Sequence, residues 1–139
     1  MLEESANFGQ KGDYYLVNSV MEDSRFLYLS AEPYWNPAMG SPRLLFDKSR
    51  NMGMTAKTAS GENGLTDDIL GGPAFWPLII SNNEYVSVVN ADELIDKSRN
   101  LPNPSAQFKK FLQSIDEDSN PVVIIATKRI GYSIPQNDK

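Results

Sequence analysis

The chain of 139 residues carries 18 acids against 13 bases, a formal charge of −5, with 40% apolar and 22% charged residues. This balance suits one folded domain with its own core rather than a disordered chain, and it argues against a nucleic-acid partner, which needs a dense basic surface. Histidine and cysteine are both absent, so a Ser-His-Asp triad, a Cys-His dyad and a histidine zinc site are excluded.

Carboxylate pairs and Ser-Lys arrangements remain open to the chain, but no motif points to either. The expectation is a domain that is not an enzyme. No apolar run approaches the roughly 18 residues that span a bilayer. Met1 to Gly12 is polar and acidic and lacks the apolar core of a signal peptide. Such a chain reads either as cytoplasmic as written or as one whose leader precedes this numbering. Residues 1–12 read as a flexible leader, 13–129 as a single domain and 130–139 as a flexible tail.

Within the domain, Tyr14 to Met21 and Arg25 to Ser30 are β-branched or aromatic runs on either side of Glu22-Asp23-Ser24. They predict a hairpin. Three prolines between Glu32 and Pro42 predict an ordered loop rather than a regular element. Arg43 to Asp47 and Gly53 to Lys57, across Lys48-Ser49-Arg50-Asn51, predict a second hairpin. The four strands would form one antiparallel sheet over residues 13–58.

Residues 59–73 read as a long structureless linker, of the kind that tends to be functional or mobile. Phe75 to Ile80, the turn Ser81-Asn82-Asn83 and Tyr85 to Val89 predict a third hairpin. Asn90 with Glu93 three residues on predicts a capped helix over Ala91 to Ser98. A second helix is expected with Asn103 as N-cap and Pro104 in its first turn. Its apolar stripe would be Phe108, Phe111, Leu112 and Ile115. Val122 to Ala126 is a continuous apolar run, suited to a strand buried on both faces.

The fold class expected is mainly β: two antiparallel blade-like sheets, with two helices inserted near the C-terminal end. Two blocks carry a family resemblance over roughly residues 12–129: Gly71-Gly72-Pro73-Ala74-Phe75-Trp76-Pro77, and Asp116-Glu117-Asp118-Ser119-Asn120-Pro121-Val122. They resemble the C-terminal part of Bacteroidota six-bladed β-propeller proteins, mostly secreted or lipid-anchored proteins of gut bacteria. The resemblance implies a partial propeller and a periplasmic or cell-surface location, and it supplies no established activity. Six blades of about 40–50 residues each exceed this length, so two blades at most are expected here.

Three groups of residues are candidates for binding. No cation lies between Lys57 and Lys97, while seven acids do. Glu62, Asn63, Asp67 and Asp68 could present loop oxygens to calcium, with glycines letting the backbone wrap. A solvated acidic loop accounts for the same residues. Asp116, Asp118 and Asn120 have the opening spacing of an EF-hand loop, but Pro121 and Thr127 stand where glycine and glutamate are needed. They therefore read as a polar helix-to-strand connection or as a calcium loop of another kind. Tyr34, Trp35 and Trp76, beside proline-rich loops, could form a surface for a glycan or peptide. Packing between the sheets is the competing reading of Trp76. The functional expectation is a binding or scaffold module contacting a protein or glycan, with calcium binding as the alternative.

Overall fold

The computed structural model describes residues 14–34 and 36–128. The expected leader, the tail and Trp35 lie outside the described residues. Four strands come first: β1 (Tyr15–Glu22), β2 (Phe26–Pro33), β3 (Arg43–Asp47) and β4 (Met52–Thr55). They form one antiparallel sheet in sequence order. A 3-10 turn, Pro37–Met39, sits in the proline-rich loop, with the Asn36 side chain accepting from the Ala38 N–H. β5 (Ile79–Ser81), β6 (Glu84–Val89) and β7 (Val122–Thr127) form a second antiparallel sheet. Helices α1 (Ala91–Ser98) and α2 (Ala106–Leu112) are inserted between β6 and β7. The architecture is mainly β, as expected.

Local chemistry explains the turns. Asn82 and Asn83 have φ of 49° and 63°, the paired left-handed conformation of the two-residue loop that matches strand twist. Asp23 and Asp47 each accept backbone N–H bonds from the residues two and three positions on, so both turns are tied by their own aspartate. Asn18 is passed over in the β1–β2 register, a bulge that bends β1.

The inner faces of the two sheets share one core. Phe26, Tyr28 and Leu45 from the first sheet and Tyr85 from the second pack with Ala56 and Phe75. Trp76, Ile80, Ile124 and Ala126 pack around them. Ala91 and Leu94 bury one side of α1, and Phe108 buries one side of α2.

Several expectations are corrected. The linker is a built loop rather than a structureless one. Lys57 bridges Asn63 and Leu65 bridges Phe75, and Thr58 N–H donates to the Glu62 carbonyl at 2.8 Å. Gly71, at φ +67°, passes so close to Asn103 that a Cβ would lie 2.5 Å from its carbonyl oxygen. There the Ser105 N–H donates to the Leu70 carbonyl, fixing the start of α2 against the linker.

The strand expected over Phe75 to Ile80 is reduced to Ile79–Ser81, because the Pro77 nitrogen cannot donate to a ladder. Pro77 is instead among the most completely buried side chains. The Asn90 side chain makes no capping bond. At α2 the cap is Ser105, whose Oγ accepts from Phe108 N–H at 3.1 Å, rather than Asn103. Phe111 is 37% exposed rather than core, whereas Phe108 on the same short helix is buried beside Gly72 of the linker. β7 is an edge strand with alternating burial rather than one covered on both faces.

Candidate functional site

Asp23 opens the tight β1–β2 turn at one end of the first sheet. One carboxylate oxygen accepts the Arg25 and Phe26 backbone N–H groups, both at 2.7 Å. The other accepts Tyr28 Oη at 2.8 Å, Tyr85 Oη at 2.6 Å and Lys128 Nζ at 3.1 Å. β2 supplies Tyr28, β6 supplies Tyr85, and Lys128 follows β7 directly. The turn of one sheet is thereby bonded to β6 and to the residue that follows β7 of the other. Lys128 Nζ also stands 4.3 Å from the centre of the Phe26 ring, and the Tyr28 and Tyr85 rings lie 5.8 Å apart.

Burial pushes the Asp23 pKa up, but hydrogen bonds from Tyr85, from the Phe26 and Arg25 backbone and from Tyr28 outweigh it. The carboxyl is held well below its usual range. Burial, then the bond to Asp23, raises both tyrosines, with Tyr85 pushed up to about 12. These directions decide what the cluster can do. A carboxylate saturated with donors is a poor general base, and phenols held protonated are poor nucleophiles. The cluster acts as an electrostatic clasp between the sheets.

A second aspartate repeats the theme on the β3–β4 turn. Asp47 is fully enclosed and accepts Arg25 Nη2 at 2.7 Å and Ser49 Oγ at 2.6 Å. Those bonds, led by the one from Arg25, lower its pKa against the opposing effect of burial. Beside these clasps a cleft of about 390 Å³ opens among Glu22, Ser24, Lys48, Ser81, Asn82 and Asn83. Lys48 is already bonded there to Glu22 and to the Asp23 carbonyl.

The residues singled out from the sequence fall elsewhere. Asp67 turns both oxygens onto its own loop, accepting from Ile69, Leu70 and Gly72 N–H groups. Glu62 accepts from Ala74 N–H at 3.4 Å, and the Asn63 side chain donates to the Ser41 carbonyl. Asp68 is exposed. The Asp116 carboxylate accepts from Ser119 Oγ at 2.8 Å, while Asp118 and Asn120 face solvent. Among the described residues no three acidic side chains gather as metal ligands. Asp67 is thus taken up by backbone donors of its own loop and Asp116 by the Ser119 hydroxyl.

Tyr34 is 42% exposed. Trp76 instead turns inward, its indole N–H donating to Ser30 Oγ at 2.8 Å and its ring edge-on to Tyr28 at 5.8 Å. Those two therefore do not share one ligand surface.

The surfaces that sequence reasoning passed over are the outer sheet faces. Strand alternation puts Val20, Leu27, Leu29, Leu44 and Phe46 on the outside of the first sheet, with Gly53 and Thr55 in register. A shallow hollow of about 410 Å³ lies over Leu29, Leu44, Phe46, Gly53 and Thr55. On the second sheet Ile79, Val86 and Ile125 are in register, as are Val88 and Val123. Of these, Ile79 is 59%, Val88 48%, Val123 59% and Ile125 63% exposed. The signal was present as alternation, but a continuous apolar run hides which face is covered.

Comparison with protein-family models, with curated proteins and with solved structures finds no match to this chain. Among the described residues no helix is long and apolar enough to cross a membrane.

Proposed function

We propose that the chain is a non-catalytic, blade-like scaffold module of an extracytoplasmic, propeller-like protein, contacting a protein partner through the outer faces of its sheets. One observation carries the reading. Five apolar side chains, Ile79, Val86, Val88, Val123 and Ile125, line one outer face with only Ser81, Glu84 and Thr127 at its end. Contiguous apolar surface of this kind marks protein contact sites. The face is aliphatic, so it lacks the exposed aromatic planes on which a sugar stacks. That favours a protein over a glycan. The placement outside the cytoplasm rests on the resemblance carried by the Gly71–Pro77 and Asp116–Val122 blocks alone.

The test substitutes both Val123 and Ile125 by lysine. Exposed positions tolerate such changes, so the unfolding free energy should move by less than about 1 kcal/mol. Binding of an environment-sensitive apolar dye to the folded protein should fall to what the first sheet's outer face takes up. A loss of about 3 kcal/mol or more would mark this face as interior to the chain's own fold and reject the reading.

A further inference from the structure

Asn63-Gly64 is the one Asn-Gly pair in the chain, and the fold holds it in the linker under tight constraint. Gly64 is buried at φ +139°, and a Cβ there would stand 2.9 Å from the Phe75 carbonyl oxygen and 3.2 Å from the Ala74 Cβ. A side chain does not fit that space, so the packing of the linker onto Phe75 dictates glycine after Asn63. Asn63 itself is exposed.

An asparagine followed by glycine carries its own reaction, deamidation. With no side chain in the way, the backbone nitrogen of the glycine can reach the asparagine Cγ. A bond forms between them, the Cγ–Nδ2 bond breaks, and ammonia leaves with the proton of the attacking N–H. Water then opens the cyclic imide at either carbonyl. The products are aspartate and the isomer whose main chain runs through the side chain. One water is consumed and one ammonia released, so the step needs no oxidant, reductant or second protein.

The closed linker keeps both reacting groups from this path. The Gly64 N–H donates to the Ala56 carbonyl at 2.9 Å, and Ala56 is 5% exposed. The Asn63 amide donates to the Ser41 carbonyl at 3.0 Å, which commits Nδ2 to the loop before β3. Lys57 bridges Asn63, and Leu65 exchanges two backbone bonds with Phe75, so neither member of the pair turns alone. Attack needs a freed nitrogen and a freed amide, and local opening of residues 59–73 supplies both.

We infer that Asn63 is a self-modification site gated by that opening, and that the modification then holds the linker open. Aspartate at this position sets a carboxylate against the Ser41 carbonyl, two acceptors with no donor between them. The isomer lengthens the main chain by one carbon beside Gly64, where the Phe75 carbonyl already leaves no room. Openings of the linker are thereby recorded as a covalent change, independently of what the outer sheet faces bind.

Peptide mapping by mass spectrometry of the full chain, kept in mildly alkaline buffer, reads amide loss at Asn63. In urea-denatured protein Asn63 should react ahead of every other asparagine. In the folded wild type it should react slower by a factor of about ten or more, because two hydrogen bonds must open first. Phe75→Leu loosens the anchor while keeping an apolar side chain in the core, and should speed the reaction severalfold under folding conditions. Reacted wild type and Asn63→Asp should both be cut between residues 59 and 73 faster than unreacted wild type.

A denatured chain in which another asparagine reacts first overturns the site. Equal rates in folded and denatured protein overturn the gate, as does a Phe75→Leu protein, shown folded by its urea transition, that reacts as slowly as the wild type. Reacted protein and Asn63→Asp that are cut no faster than the wild type overturn the held-open linker.

Discussion

Asp23→Ala should cost about 3 kcal/mol or more of unfolding free energy, read by urea titration. Two buried phenols lose their acceptor, at roughly 1–3 kcal/mol each, and the turn loses the carboxylate that organises it. Against a total of about 5–15 kcal/mol for an ordinary domain, the loss leaves the protein marginal. Asp23→Asn keeps an oxygen for the Arg25 and Phe26 N–H groups and should fall between the two.

The same clasp sets the acid limit. The folded carboxyl is depressed below its unfolded value of about 3.9, so its contribution is present above that pH and is lost as pH falls toward the folded value. Wild-type stability should therefore decline below about pH 4. Asp23→Ala should show a shallower decline, with Asp47 supplying the remainder. A loss under about 1 kcal/mol with an unchanged acid profile would contradict the clasp.

Phe75→Ala should cost about 3–5 kcal/mol, the range for an aromatic removed from a packed core. Phe75 is 8% exposed and belongs to the cluster shared by both sheets. Its backbone exchanges two hydrogen bonds with Leu65, at 2.7 and 2.9 Å. Gly64, with φ of 139°, lies beside it, where a Cβ would come within 2.9 Å of the Phe75 carbonyl oxygen. The side chain therefore anchors the linker to the core, and its removal should also speed proteolysis between residues 59 and 73. A cost below about 1 kcal/mol would show that the linker is held by something else.

What the sequence disclosed follows the range of the interactions. The hairpins were legible because strand alternation and turn residues are local signals, as in Glu84 to Val89 behind Asn82-Asn83. The first helix was legible from Asn90 at its start, although that side chain makes no capping bond, and the second from its apolar spacing, although its cap lies two residues later than expected. Asn103 and Ser105 are both acceptable cap residues, and the docking of Ser105 against Leu70 settles where α2 begins.

β7 was misread because Val122 to Ile125 is apolar at every position, so periodicity carries no information about burial. The outer face of the three-stranded sheet is uncovered on central β6 as on β7, with Val88, Val123 and Ile125 all exposed, and that decides the matter. Phe111 was misread for a related reason: a helical stripe can be wider than the surface available to cover it. The clasp was half legible. Asp23 with N–H donors two and three residues on is a local turn signature, but Tyr85 comes from 62 residues away. The expected calcium loops were local guesses of the same kind: Asp67 finds backbone donors among its own neighbours, and among the described residues no three acidic side chains gather.

The two sheets close on each other through their inner faces, and the outer faces are the ones proposed to meet a partner. The most direct measurement is relaxation of side-chain methyls by a soluble, neutral paramagnetic agent, in protein dilute enough to be monomeric. The methyls of Ile79, Val88, Val123 and Ile125 should broaden strongly, while those of Leu94 and Ala91, 1% and 2% exposed, should stay sharp. Outer-face methyls as protected as Leu94 would contradict the account.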